Sequence, residues 1–159
     1  MPKLYGFSID EFVKFKPKPG SAAISFASHN DAKYNEKLYD KLNQIYKQYS
    51  AVLHLAIDDI ARPTEECHMF TQNNTSLVKD FIKLHQHDNI IIHCNAGVSR
   101  TGSIIHYIQQ EYPSYVLMTK RKYSYNPLIS DLLDVDKDRL NRLFNENKEV
   151  MDELKFIYD

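Results

Sequence analysis

The chain has 159 residues, the size of one ordinary domain, and its 20 Lys and Arg against 21 Asp and Glu leave a formal charge of −1. That balance excludes a general nucleic-acid coat and a membrane-surface binder, both of which need a strongly positive field. Hydrophobic residues make up 43% and charged residues 26%, so one real core is expected and disorder is not.

Lys3 to Phe7 reads as a short strand. Ser8 and Glu11 form a capping-box pattern, predicting a short helix to about Lys16, which Pro17-Lys18-Pro19-Gly20 breaks. Ala22 to Phe26 reads as a buried strand. Leu38, Leu42, Ile45 and Tyr49 keep three-and-four spacing and predict one helix over Asn35 to Tyr49. Ala51 to Ile57 reads as a strand with Asp58 and Asp59 at its carboxyl end, followed by a polar loop to about Asn74. Leu77, Val78, Phe81, Ile82 and Leu84 mark the next helix. Asn89 to His93 reads as a short strand whose three successive isoleucines are the signature of a central parallel strand covered on both faces. A helix from about Arg100 to Glu111 must stop before Pro113. Asp136 to Tyr158 reads as helix in one or two pieces.

Strands alternating with helices predict an α/β fold, a mostly parallel central sheet flanked by helices in a single domain over 1–159. Such sheets bind ligands beyond the carboxyl ends of their strands, where Asp58, Asp59 and Cys94 all fall. The two cysteines, Cys67 and Cys94, cannot build a disulfide scaffold, so a reduced, cytoplasmic setting is expected. Met1 to Gly20 has no apolar signal-peptide core, and no stretch reaches the roughly 18 apolar residues of a membrane span.

The informative segment is His93-Cys94-Asn95-Ala96-Gly97-Val98-Ser99-Arg100-Thr101-Gly102, which joins a buried strand to a helix through a tight loop. Amides of such a loop, wrapped at a helix N-terminus, point inward and cradle an anion. A cysteine at the mouth of that cradle feels the helix dipole and the amides, which favour its thiolate. Arg100 presents a planar fork to two phosphate oxygens, Gly97 permits a positive φ, and the Thr101 hydroxyl is expected to donate a hydrogen bond to the sulfur and stabilise its thiolate as a leaving group. The reading requires a sulfur open to solvent and a guanidinium turned inward.

Cys, five residues, Arg, then Thr is the signature loop of the cysteine-dependent protein tyrosine phosphatases. The sequence resembles that superfamily, in particular its compact dual-specificity-like members, over roughly Val52 to Leu133. Arg121, Tyr123, Asn126-Pro127 and Leu132-Leu133 loosely match the segment after the loop helix, while the first fifty residues carry no assignable motif. The resemblance implies a phosphotyrosine protein phosphatase II type fold. It implies a phosphocysteine intermediate on Cys94, phosphate binding by Arg100 and the amides of Asn95, Ala96, Gly97, Val98 and Ser99, and an aspartic general acid. No metal or cofactor is implied. The partners implied are a phosphorylated protein or peptide and an oxyanion in the loop, with neither nucleic acid nor membrane.

Asp59, 35 residues before Cys94, is the favoured acid, because one step further into the loop gives it more freedom. Asp58 is the alternative, or holds the loop, and Glu65 and Glu66 are outsiders. The strand ending at Asp58 is expected to neighbour that of Cys94. His93 is read as a support beneath the loop, Ser99 as valued for its amide rather than its hydroxyl, and Cys67 as inert rather than a redox partner of Cys94. His85 and His87 are read as exposed, and Lys120-Arg121-Lys122 as a solvated charge run. The loop lacks the Lys expected for phosphoinositides, and Ala96 and Ser99 stand where RNA triphosphatases tend to carry His and Asn. A fairly shallow pocket acting on phosphotyrosine, with or without phosphoserine and phosphothreonine, is therefore expected. An RNA 5′-phosphatase, a phosphoinositide phosphatase and an inactive phosphate-binding module are the alternatives.

Overall fold

The structure, a computed structural model, describes residues 1–62 and 64–142. Five strands, β1 (Lys3–Phe7), β2 (Ala22–Phe26), β3 (Ala51–Leu55), β4 (Ile90–His93) and β5 (Val116–Leu117), form one sheet in the order β3-β2-β4-β1-β5. Every pairing is parallel, where the sequence promised only a mostly parallel sheet.

The two central runs show why the sheet must be covered twice. Successive side chains of a strand face opposite ways. Ala22, Ile24 and Phe26 of β2 and Ile90 and Ile92 of β4 enter one core; Ala23 and Ile91 enter the other. The first core is closed by α5 (Gln72–Leu84), α6 (Arg100–Glu111) and α7 (Pro127–Leu132), through Val78, Ile82, Ile104, Ile108 and Ile129. The second is closed by α1 (Ile9–Lys14), α3 (Glu36–Tyr39) and α4 (Leu42–Tyr46), through Phe12, Tyr39, Leu42 and Ile45.

The single helix expected over Asn35 to Tyr49 is broken. Ser28 caps a separate helix, α2 (His29–Tyr34), with its hydroxyl on the Asp31 amide, and Asn35 then caps α3. Bonds from Lys41 N to Leu38 O, Gln44 N to Lys41 O and Lys47 N to Gln44 O tighten the following turns to three residues each. Leu42, Ile45 and Tyr49 still reach one face, so the apolar spacing survives the break. The strand expected over Ala51 to Ile57 ends at Leu55, and β5 and α7 escaped sequence reading. Residues 143–159 of the expected C-terminal helix lie outside the described residues.

One expectation about placement is corrected. β3, which leads to Asp58, does not neighbour β4; it pairs with β2 at the sheet edge, and β4 lies between β1 and β2. The first fifty residues therefore supply both neighbours of the Cys94 strand. Register aligns Phe7 and Ser25 with His93, and Phe26 with Leu55, so four strands end along one edge. Among the described residues, no helix is long and apolar enough to cross a membrane.

Candidate active site

Segments leaving those four strand ends meet around the Cys94–Ser99 loop. The strand pairing continues one residue into it: Cys94 N donates to Phe7 O at 3.3 Å, and Ile9 N donates to Asn95 O at 3.2 Å. The corner between β1 and α1 thus backs the loop. Arg121 backs it from the other side, its Nη1 donating to Ala96 O at 3.4 Å and Gly97 O at 3.3 Å while its Nη2 pairs with Glu11. Arg121 is not part of a solvated charge run; it neutralises two outward carbonyls, which leaves their peptide amides facing inward.

Gly97 has φ +74°, and a Cβ there would fall 2.5 Å from the Phe7 carbonyl carbon and from Ser8 N. Only glycine fits that turn against the β1–α1 corner. The turn delivers the Gly97 amide to the Cys94 sulfur, N to Sγ 3.2 Å. Among the described residues, the amides of Ala96, Val98, Ser99 and Arg100 meet no protein acceptor. They lie at the N-terminus of α6, where the macrodipole favours negative charge.

Cys94 is 2% exposed and belongs to the apolar core beneath the loop. The sulfur open to solvent that the sequence reading requires is therefore not found: Cys94 still follows the strand pairing and is buried beneath the loop, while the second requirement, a guanidinium turned inward, is met. Arg100 is 3% exposed and its guanidinium is turned inward. Its Nη1 donates to Asp31 Oδ2 at 2.7 Å and to Ile57 O at 2.7 Å, and its Nη2 donates to Asp31 Oδ1 at 2.9 Å. Burial works against the guanidinium's charge, but the Asp31 carboxylate more than offsets it. Nε is buried with no partner. With Nη1 fully used, the free donors are Nε–H and the remaining Nη2–H, which lie side by side on one edge of the plane. That edge is a ready fork for two oxygens of a tetrahedral anion.

Asp31 was not found from the sequence. It holds Arg100 from 69 positions away, and its one local signal was the Ser28-x-x-Asp31 capping box just past β2. Tyr39 was missed as well; its hydroxyl donates to Asn95 Oδ1 at 3.1 Å.

The two aspartates divide sharply. Asp58 is 6% exposed, and its Oδ2 accepts from His68 N at 2.8 Å and Asn30 Nδ2 at 3.2 Å. Its own amide donates to His68 O at 2.8 Å, which staples the loop closed. Burial alone would raise this carboxyl, yet Ser28, His68 N, Asn30 and the Arg100 charge outweigh it and hold it below the usual carboxylate value. Asp59 is exposed and bends toward the cradle: its Oδ1 accepts from Ser99 Oγ at 3.0 Å and Asn126 Nδ2 at 2.8 Å. The Ser99 hydroxyl therefore has a partner of its own. Glu65 and Glu66 are exposed, and Glu66 lines a separate recess of about 360 Å³ with Asn30, Lys33, Tyr34 and Cys67.

His93 is fully buried, stacks on Phe12 with ring centroids 4.2 Å apart, and shares a 2.5 Å hydrogen bond through Nε2 with Ser25 Oγ. Burial pushes its pKa down to about 3, so it is a neutral support and not a base. Thr101 does not reach the sulfur; its buried hydroxyl has no partner. His85, read as exposed, pairs through Nδ1 with Asp88 at 3.0 Å.

No protein-family model matches the sequence, and no curated protein matches it. The chemistry must be read from these residues themselves.

Proposed function

We propose that the chain is a phosphomonoester hydrolase of the protein tyrosine or dual-specificity phosphatase kind, working through a phosphocysteine on Cys94. The observation that carries the proposal is the Arg100 guanidinium. One edge is locked by Asp31 and Ile57 O, and the other, with its unpartnered Nε, is free, while the amides of Ala96, Val98, Ser99 and Arg100 that follow Cys94 are unspent. A buried charge held so firmly, with two parallel donors left over, suits a phosphoryl dianion better than any neutral group.

In the proposed reaction the Cys94 thiolate attacks phosphorus in line. The S–P bond forms as the P–O ester bond breaks, and the ester's electron pair stays on the leaving oxygen. That oxygen takes a proton from Asp59. Water then attacks phosphorus, the S–P pair returns to sulfur, and the Asp59 carboxylate takes the water's proton. Arg100 and the amides of Ala96, Val98 and Ser99 hold the equatorial oxygens through both steps. Asp58 shapes the acid loop and does not donate. A sulfur at the depth of Cys94 suits a long aryl ester, hence phosphotyrosine, better than phosphoserine.

The same depth is what favours the other reading, a phosphate-binding module without turnover. Metal-free assays on 4-nitrophenyl phosphate, a phosphotyrosine peptide, a phosphoserine peptide and a triphosphate-ended RNA separate them. Wild type should turn over the two aryl esters. Cys94→Ser should be inactive, and Asp59→Asn should be slower on the phosphotyrosine peptide by about 10² to 10⁴, with a smaller loss on 4-nitrophenyl phosphate, while Asp58→Asn changes far less. Binding of vanadate without turnover of any ester would establish the module instead, and a strong preference for the RNA would move the substrate class.

A further inference from the structure

We infer that Asn126 and Ser99 are positioning residues that decide which oxygen of Asp59 carries the transferable proton, an inference that rests on the phosphatase reading above. Asn126 is 2% exposed and its side-chain amide is fully committed. Its Oδ1 caps α7 by accepting from Ile129 N at 3.1 Å. With that oxygen fixed toward the helix, both amide hydrogens must face the other way. There Nδ2 donates to Asp59 Oδ1 at 2.8 Å and to Ile60 O at 3.1 Å. The backbone of Asn126 is fastened in turn to α6, its N donating to Ser103 Oγ at 2.7 Å. Ser99 stands at the start of the same helix, and its hydroxyl donates to that same Asp59 Oδ1 at 3.0 Å. It does so instead of capping α6, which has no side-chain cap of its own.

A carboxyl oxygen offers two lone pairs. On Asp59 Oδ1 both are occupied by donors anchored to α6. A proton placed on Oδ1 would point at a donor, so the protonated acid carries its hydrogen on Oδ2. Oδ2–H is then the bond that breaks when the leaving oxygen is protonated, and Oδ2 is the atom that later takes a proton from the attacking water. Because Ser99 belongs to the phosphate loop, the acid's free oxygen is indexed to the phosphoryl group it must serve.

Such a role shows in the dependence on leaving group. Esters of strongly acidic phenols depart without help, whereas phenyl phosphate needs its proton. The variants are Asn126→Asp, which keeps an acceptor for Ile129 N but donates nothing to Asp59, and Ser99→Ala, which leaves α7 untouched. Each should lower kcat on phenyl phosphate by about 10-fold or more, and kcat on 4-nitrophenyl phosphate only about 2- to 3-fold, with KM little changed. Melting curves check that both variants fold. A uniform loss across a series of substituted aryl phosphates, or a change confined to KM, would overturn the inference while leaving the phosphatase reading intact. Activity of wild type on none of these esters would remove both. A leaving-group profile of Asp59→Asn identical to that of wild type would remove Asp59 as the acid, and the positioning pair with it.

Discussion

Replacing Asp31 by Asn should cost far more stability than an ordinary polar substitution. The carboxylate side chain is 11% exposed and that of its partner Arg100 is 4% exposed, so solvent screens the pair little. Asp31→Asn keeps the shape but removes the charge, and one of its two acceptor oxygens becomes a donor facing Nη1 or Nη2. Breaking one side of a buried pair costs about 3–5 kcal/mol, because the other charge stays buried without its counterpart. For a chain of this size each kcal/mol moves the melting temperature by about 2–4 °C, so Tm should fall by roughly 6–20 °C. Calorimetry at neutral pH measures this directly. Two controls sharpen it. Asp31→Leu combined with Arg100→Met should recover much of the loss, since a packed apolar pair avoids the desolvation cost. Added vanadate should raise the Tm of Asp31→Asn, because an oxyanion on the free edge resupplies negative charge. A melt within about 2 °C of wild type would refute the view that this pair is what fixes the guanidinium.

The other predictions concern pH and the loop. His93 stays neutral in the fold down to about pH 3, while its ordinary value is 6.5. Its contribution to stability is complete above pH 6.5 and is lost as pH falls toward 3, at up to about 1.4 kcal/mol per pH unit. Urea midpoints at pH 7.5, 5.5 and 4.5 should therefore converge between wild type and His93→Gln, and parallel trends would exclude this account. Asp58 works the opposite way in charge but has the same sense in pH: its folded value lies below 3.8. The advantage of wild type over Asp58→Asn, about 1–3 kcal/mol from hydrogen bonds to a charged acceptor, should hold above pH 4 and vanish in stronger acid. Gly97→Ala must displace either the loop or the β1–α1 corner, and it should lower turnover on the order of 100-fold. An active Gly97→Ala enzyme would mean that the loop tolerates a shifted Gly97 amide.

What could be read in advance followed the range of the interactions. β2 and β4 announce themselves because their apolar runs are local, and the Cys94–Thr101 segment does so because its chemistry is packed into eight successive residues. The strand order left no local trace, so the position of β3 was misjudged. Asp31 and Arg100 become partners only when β2 and β4 lie side by side, and nothing in either neighbourhood names the other. Asp58 and Asp59 are adjacent in the chain, yet one is stapled inside by His68 N and the other is drawn out by Ser99 and Asn126. Spacing from Cys94 does not decide between them, and neither set of partners is visible in the local sequence. β5 is two residues long, below what any periodicity can reveal.

β1 sits between two strands that are made much later, β4 and β5. A nascent chain emerging from the ribosome cannot close this sheet until residues near 117 are available, nor complete the Arg121 brace until a little after that. Contacts so distant in sequence make for slow folding. Competence should therefore appear all at once, only after that brace has emerged, and a change that strains the β1–α1 corner would be felt at the sulfur itself.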